Sequence, residues 1–156
     1  MSSVTGQDNV IRMLMSVKDG ARAKLTETMN TVATDMQRYV QAEKLSGSPI
    51  KRQTGVLRNS IFERIAESST AVSAVTGTGV RYAKFLEEGT SPHVILPVRA
   101  KMLSFMAGGT RVFARKVNHP GNRAFWFLRD TLHETAPANI AKIRASMAEL
   151  IAQAHA

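Results

Sequence analysis

Four histidines, His93, His119, His133 and His155, are the side chains of this sequence best suited to ligate a metal or to move a proton near neutral pH. None stands at ligand spacing from a partner, as in the H-E-x-x-H of helical zinc sites, and His133 is merely adjacent to Glu134. There is no cysteine, which removes thiol catalysis, thiolate metal sites and disulfides. Glu87 and Glu88 are the only consecutive carboxylates. Neighbours in sequence point to different sides of a helix, so the pair does not make a two-carboxylate acid–base device. The run VTGTGVRY, Val75 to Tyr82, lacks the third glycine of a dinucleotide fingerprint and the Lys-Ser/Thr of a phosphate loop, and reads as a turn between strand and helix. No G-x-S-x-G elbow frames any serine. The sequence therefore argues against an enzyme, and no metal or cofactor is expected.

Charge is the stronger chemical signal. The formal net charge is +9, and residues 47–122 hold eleven Lys and Arg against four Glu, while the segments on either side are nearly balanced. Lys51, Arg52, Arg111, Arg115 and Lys116 are the core of this basic face, with Arg58, Arg64, Arg81, Lys84, Arg99 and Lys101 around them. Such a face suits phosphates or an acidic protein surface. Aromatic residues make up only 6% of the chain, and no helix-turn-helix, zinc-finger or RNA-binding aromatic signature accompanies the cations. No apolar run approaches the roughly 20 residues that span a bilayer, so no membrane role is expected.

The elements that must position these residues follow from periodicity. Val10, Leu14, Val17, Ala21, Leu25, Met29, Val32, Met36 and Val40 advance by three or four, predicting an amphipathic helix to about Lys44, with Asp8 as its cap and Gly20 as a point of breakage. Such a helix exceeds what a small sheet can cover, so the stretch around Met29, Val32 and Met36 is expected to meet another copy or a neighbour. SGSPIKRQTG, Ser46 to Gly55, reads as a loop after which Thr54 caps a short helix. Ile61 to Ala66 and Ala71 to Thr76 alternate as strands, Tyr82 to Glu88 as a helix stopped by Gly89, and His93 to Val98 as an edge strand. Met102 to Met106 and Arg111 to Val117 flank Gly108 and Gly109 as a hairpin. After the turn at His119 to Asn122, Phe125, Leu128, Leu132, Ile140, Ile143, Met147, Leu150 and Ile151 predict a long terminal helix, divided at Pro137 with Thr135 capping the restart. The expectation is one α+β domain over 1–156. It comprises an N-terminal helix (1–45), a loop and small antiparallel sheet with a hairpin (46–122), and a C-terminal helix (123–156).

Four segments in order carry a resemblance: RQTGVLRNSI from Arg52, GTGVRYAKFLEEGTSPHVI from Gly77, KMLSF from Lys101 and VFARKVNHPGNRAFWFLRDTL from Val112. Together they are similar to the neck or tail-completion (head-tail joining) proteins of long-tailed bacteriophages. That family shares a Thr-Gly-x-Leu-Arg-x-Ser-Ile start, a Tyr-Ala-x-x-Leu-Glu-x-Gly-Thr segment, a Pro-His-x-Ile strand and a late His-Pro-Gly turn before a Phe-Leu-bearing helix. The likeness spans residues 52–132, roughly half the chain, and departs at Phe125-Trp126-Phe127, where the family commonly has Arg-Pro-Phe.

The resemblance implies a virion protein at the neck or tail end, assembled in the host cytoplasm. It would form a ring with its own copies and with connector, tail-terminator or tail-tube proteins, with packaged DNA passing nearby and no catalysis. Thr54, Gly55, Leu57, Arg58 and Ser60 match the first motif: Gly55 for a tight turn, Leu57 packing inward, Arg58 holding a carboxylate or carbonyl. Tyr82, Leu86, Glu88, Gly89 and Thr90 match the second, and His119, Pro120 and Gly121 the late turn, as fold or interface determinants. The alternative reading is a basic nucleic-acid-binding protein of a mobile element.

Overall fold

The computed structural model describes residues 4–47 and 55–154. The first apolar stripe forms α1 (Val4–Tyr39), which passes into a π-helical turn at Val40–Lys44. At 36 residues α1 is roughly 54 Å long. It starts before Asp8, which therefore lies inside the helix and not at its cap. It also runs unbroken through Gly20. A Cβ there would stand 3.9 Å from Leu150 Cδ1, so the glycine sits against a second helix, and that packing outweighs a propensity cost of roughly 1 kcal/mol.

The chain is α+β, with a long helix at each end and small antiparallel β structure between them. After α2 (Val56–Asn59) come β1 (Ile61–Glu67), β2 (Val72–Thr78), α3 (Ala83–Glu87), β3 (His93–Ile95), β4 (Leu103–Ala107), β5 (Thr110–Ala114), β6 (Val117–His119) and α4 (Phe127–Ala154). The strands pair as three two-stranded ribbons, β1 with β2, β4 with β5 and β3 with β6. The stretch expected as one strand from Arg111 to Val117 breaks at Arg115-Lys116, and its two halves join different ribbons. The residues group into two compact units, Met1–Val80 with Phe127–Ala156, and Arg81–Trp126. The middle segment read from sequence is thus cut, with β1 and β2 belonging to the helical unit.

In the helical unit α1 and α4 run antiparallel, as the pairs Lys24–Glu149, Thr28–Ser146, Lys142–Asp35 and Tyr39–Glu134 show. The β1–β2 ribbon lies along α1, tied by Arg22 to Glu67 and by Gln37 Nε2 donating to the Ile61 carbonyl at 2.6 Å. Val32, Ala33, Val40, Leu45, Leu57, Ile61 and Phe127 form the core. Val32 is only 4% exposed, so it belongs to this core and not to the outward face expected of it. Among the described side chains, the large apolar residues that α1 shows to solvent are Ile11, Met15 and Val17.

α4 departs from its sequence reading twice. It continues through Pro137, and Thr135 does not cap a restart but donates its hydroxyl to the Thr131 carbonyl, one turn back. Pro137 and His133 are both exposed, so water can take the carbonyl that the missing N–H leaves free. Its buried face is mixed: Thr131, Asn139 and Ser146 are buried along with Phe127, and Ile143, Met147 and Leu150 are half-buried, while Leu132, Ile140 and Ile151 are exposed.

Candidate interaction surface

Two of the sequence motifs meet in the Arg81–Trp126 unit. α3 ends at Glu87 with Glu88 as its C-cap, and Gly89 follows with φ 76°, a left-handed conformation that glycine adopts freely. Thr90 then pairs with Asn122: each backbone N–H donates to the other's carbonyl, at 2.9 and 3.2 Å, and Asn122 N–H also reaches Thr90 Oγ1 at 2.9 Å. This pairing presses the two glycines into backbone. A Cβ on Gly89 would lie 2.6 Å from the Asn122 carbonyl oxygen, and one on Gly121 would fall on the Thr90 carbonyl. Gly121 has φ 86°, and its N–H donates to His119 Nδ1 at 3.0 Å, so that nitrogen is an acceptor. The Leu86 and Glu87 carbonyls accept from Phe125 and Trp126 N–H groups.

The β3–β6 ribbon brings His93 opposite His119, with ring centroids 5.0 Å apart. Sequence reasoning treated these histidines singly; the mirrored Pro92-His93 and His119-Pro120 in short extended segments was the available sign that they pair. They border a groove of about 760 Å³ whose other walls include Tyr82, Phe85, Leu86 and Ile95. Among the described residues no three His, Cys, Asp or Glu are placed to hold a metal ion, and no helix is long and apolar enough to cross a membrane.

Trp126 closes the unit with φ 51°, the one positive φ outside glycine among the described residues. Proline, whose ring fixes φ near −65°, could not take this conformation.

The first motif stands apart, in the helical unit. Gly55, at φ 75°, precedes α2; Leu57 is buried; Ser60 Oγ donates to the Leu57 carbonyl and pairs with Thr78 Oγ1 at 2.6 Å. Among the described residues the exposed Arg58 side chain holds no carboxylate or carbonyl; instead its backbone carbonyl accepts from Gln41 Nε2 at 3.0 Å. Thr54, Lys51 and Arg52 lie outside the described residues.

Arg64 is on β1, in the helical unit, and the remaining basic-face residues are on the second unit. Between Arg81 and Trp126 are eight Lys and Arg against two Glu, and all eight cations are exposed. Of these cations Arg111 lies on the β4–β5 ribbon, with Lys101 just before it and Arg115 and Lys116 just after it. The ribbon's turn residues Gly108 and Gly109 both have positive φ, 57° and 82°, as a two-residue hairpin turn of this hand requires. Arg111 stands opposite Met106, and Phe113 opposite Ser104, on one face; Met106 is 62% and Phe113 60% exposed. The exposed apolar residues of this unit were not legible as a surface, because apolar alternation in a strand also describes a core.

Comparison with protein-family models, with curated proteins and with solved structures finds no match.

Proposed function

We propose that this chain is a structural virion protein of a tailed bacteriophage, a neck or tail-completion component that forms a ring joining head connector to tail, and not an enzyme. The observation that carries this reading is the surface of the Arg81–Trp126 unit. There the only buried hydrophobic residue is Ala83, whereas Tyr82, Phe85, Val98, Met106 and Phe113 are among eleven large apolar side chains left exposed. Exposed apolar surface on that scale, mixed with Arg and Met, marks contact with other proteins. The motif resemblance supplies the identity of the assembly. Deleting the gene is expected to leave filled heads and tails that fail to join, or defective tails, in electron micrographs of the lysate; normal infectious particles would refute the assignment.

A second reading, nucleic-acid binding, is favoured by the exposed cations of the same unit. It predicts tight binding of duplex DNA with a steep salt dependence by the purified chain.

A further inference from the structure

The β4–β5 ribbon and the β1–β2 ribbon are each two strands wide, so among the described residues β5 and β1 each have one edge that pairs with no strand. An isolated two-stranded ribbon is marginal in water, and an open edge of N–H and C=O groups is a template for another strand. The two edges also match in side chains. On β5, Arg111 and Phe113 share one face, and Arg115 stands at the bend one residue past the strand. On β1, Glu63, Ile65 and Glu67 share one face, in the order Glu-x-Ile-x-Glu. Laid antiparallel, Arg111 meets Glu67 and Phe113 meets Ile65, and Arg115, at the bend that follows, comes beside Glu63. Glu63, Arg111 and Arg115 are exposed and without an ion-pair partner among the described residues, while Glu67 is held by Arg22.

We propose that the β5 edge of one copy adds to the β1 edge of the next, joining two ribbons into one four-stranded antiparallel sheet across the contact between subunits. The contact uses different surfaces on the two copies, so it repeats head to tail and closes a ring when the rotation allows. This inference rests on the ring reading and names the contact that makes the ring. Opposite charges directly across strands favour the pairing and like charges oppose it. The apolar pair, Phe113 beside Ile65, excludes water between the two charge pairs. Although each copy carries +9 overall, the matched segment sets two carboxylates against two guanidiniums. Duplex DNA would satisfy the arginines but would leave Phe113 and Met106 in water, which is why a strand of this chain suits the edge better.

The chain has no cysteine, so a designed disulfide reports the contact cleanly. Purified protein carrying both Ile65→Cys and Phe113→Cys is oxidised over a range of concentrations and run on a non-reducing gel. A ladder of covalent multimers is expected, with Phe113→Cys alone giving at most dimers. Adding Glu63→Arg should cut the ladder about ten-fold, and adding Arg115→Glu to that variant should restore it. An intrachain disulfide, no ladder at any concentration, or failure of the charge swap to restore it would overturn the proposal, as would multimers unaffected by Glu63→Arg. Circular dichroism of each variant checks that the exposed substitutions leave the fold intact. The ladder does not depend on phage context, so a positive ladder beside normal knockout particles would refute the neck assignment and leave the contact standing.

Discussion

The two units of this chain hold their shape by different means. Among the described residues, seven of the eight buried hydrophobic residues lie in the helical unit, where α1 packs on α4 and on the β1–β2 ribbon. In the Arg81–Trp126 unit there is almost no apolar interior; the fold is pinned by the Thr90–Asn122 pairing, the His119–Gly121 bond and two glycines pressed against backbone. A unit built on backbone geometry can spend its apolar side chains outside. The helical unit is a scaffold by this criterion, and the other presents a surface whose residues act when something covers them.

The largest expected effect tests that division. Phe127→Ala, which empties a site 2% exposed, should cost about 3–5 kcal/mol in chemical denaturation. Phe113→Ala, at 60% exposure, should change the stability of the separate chain by less than about 0.5 kcal/mol while weakening assembly. Equal losses at the two phenylalanines would abolish the distinction between scaffold and surface.

The second unit has its own point of failure in the late turn. Gly121→Ala combines a left-handed φ with a Cβ directed at the Thr90 carbonyl, and strain of at least about 1–3 kcal/mol should fall on the Thr90–Asn122 pairing. Amide hydrogen exchange should then show Thr90 and Asn122 losing protection while α1 and α4 keep theirs. Loss of protection throughout would mean that the two units unfold together.

How much of this could be read from sequence depends on where the apolar pattern was unambiguous. The C-terminal half of α1 was legible because Val32 and Val40 fall on one stripe that is also the buried face. The β4–β5 hairpin was legible because consecutive glycines permit few other turns. α4 was legible as a long helix but only in part as a packed face: Leu128, Ile143, Met147 and Leu150 are half-buried, whereas Leu132, Ile140 and Ile151 are exposed and Thr131, Asn139 and Ser146 are buried. Polar residues can face a helix neighbour when their hydrogen bonds are met inside, as Thr131 Oγ1 donating to the Phe127 carbonyl at 2.7 Å shows, and periodicity alone cannot announce that. Of the candidate surface, glycine and proline motifs were readable because they fix backbone, whereas the exposure of Met106 and Phe113 depends on what does not cover them.

The polar seam between the long helices gives a smaller and asymmetric effect. Thr28 hydroxyl donates to the Lys24 carbonyl at 2.8 Å, so in the 2.6 Å contact with Ser146 the serine is the donor. Ser146→Ala leaves Thr28 still donating and should cost about 1 kcal/mol; Thr28→Val strands the buried serine hydroxyl and should cost about 1–3 kcal/mol. Thermal or urea unfolding of the two variants and of the double variant measures the difference. A larger loss for Ser146→Ala would reverse the assigned direction of the bond.

The smallest effect lies at the surface of the scaffold, where Lys44 Nζ donates to Glu134 Oε1 at 2.7 Å and Tyr39 hydroxyl donates to Glu134 Oε2 at 2.8 Å. These two hydrogen bonds, that from Lys44 first, hold the Glu134 carboxyl below its usual range, and the bond to Glu134 raises the Tyr39 phenol. A carboxylate whose folded pKa is depressed adds stability that is complete above the unfolded value, about 4.3, and is lost as pH falls through the lower folded value. Tyr39 has the opposite sense: its neutral form is favoured, so its contribution is present below about pH 10 and lost as pH rises through the raised folded value. Glu134→Gln should therefore flatten the acid limb of a stability-against-pH curve and soften the alkaline limb, both more visibly at low salt because the site is solvent-exposed. The Arg81–Trp126 unit contains none of these three groups, so its hydrogen exchange should be unchanged in the variant. If exchange there changes with Glu134→Gln, the two units share more of their stability than their separate modes of construction imply.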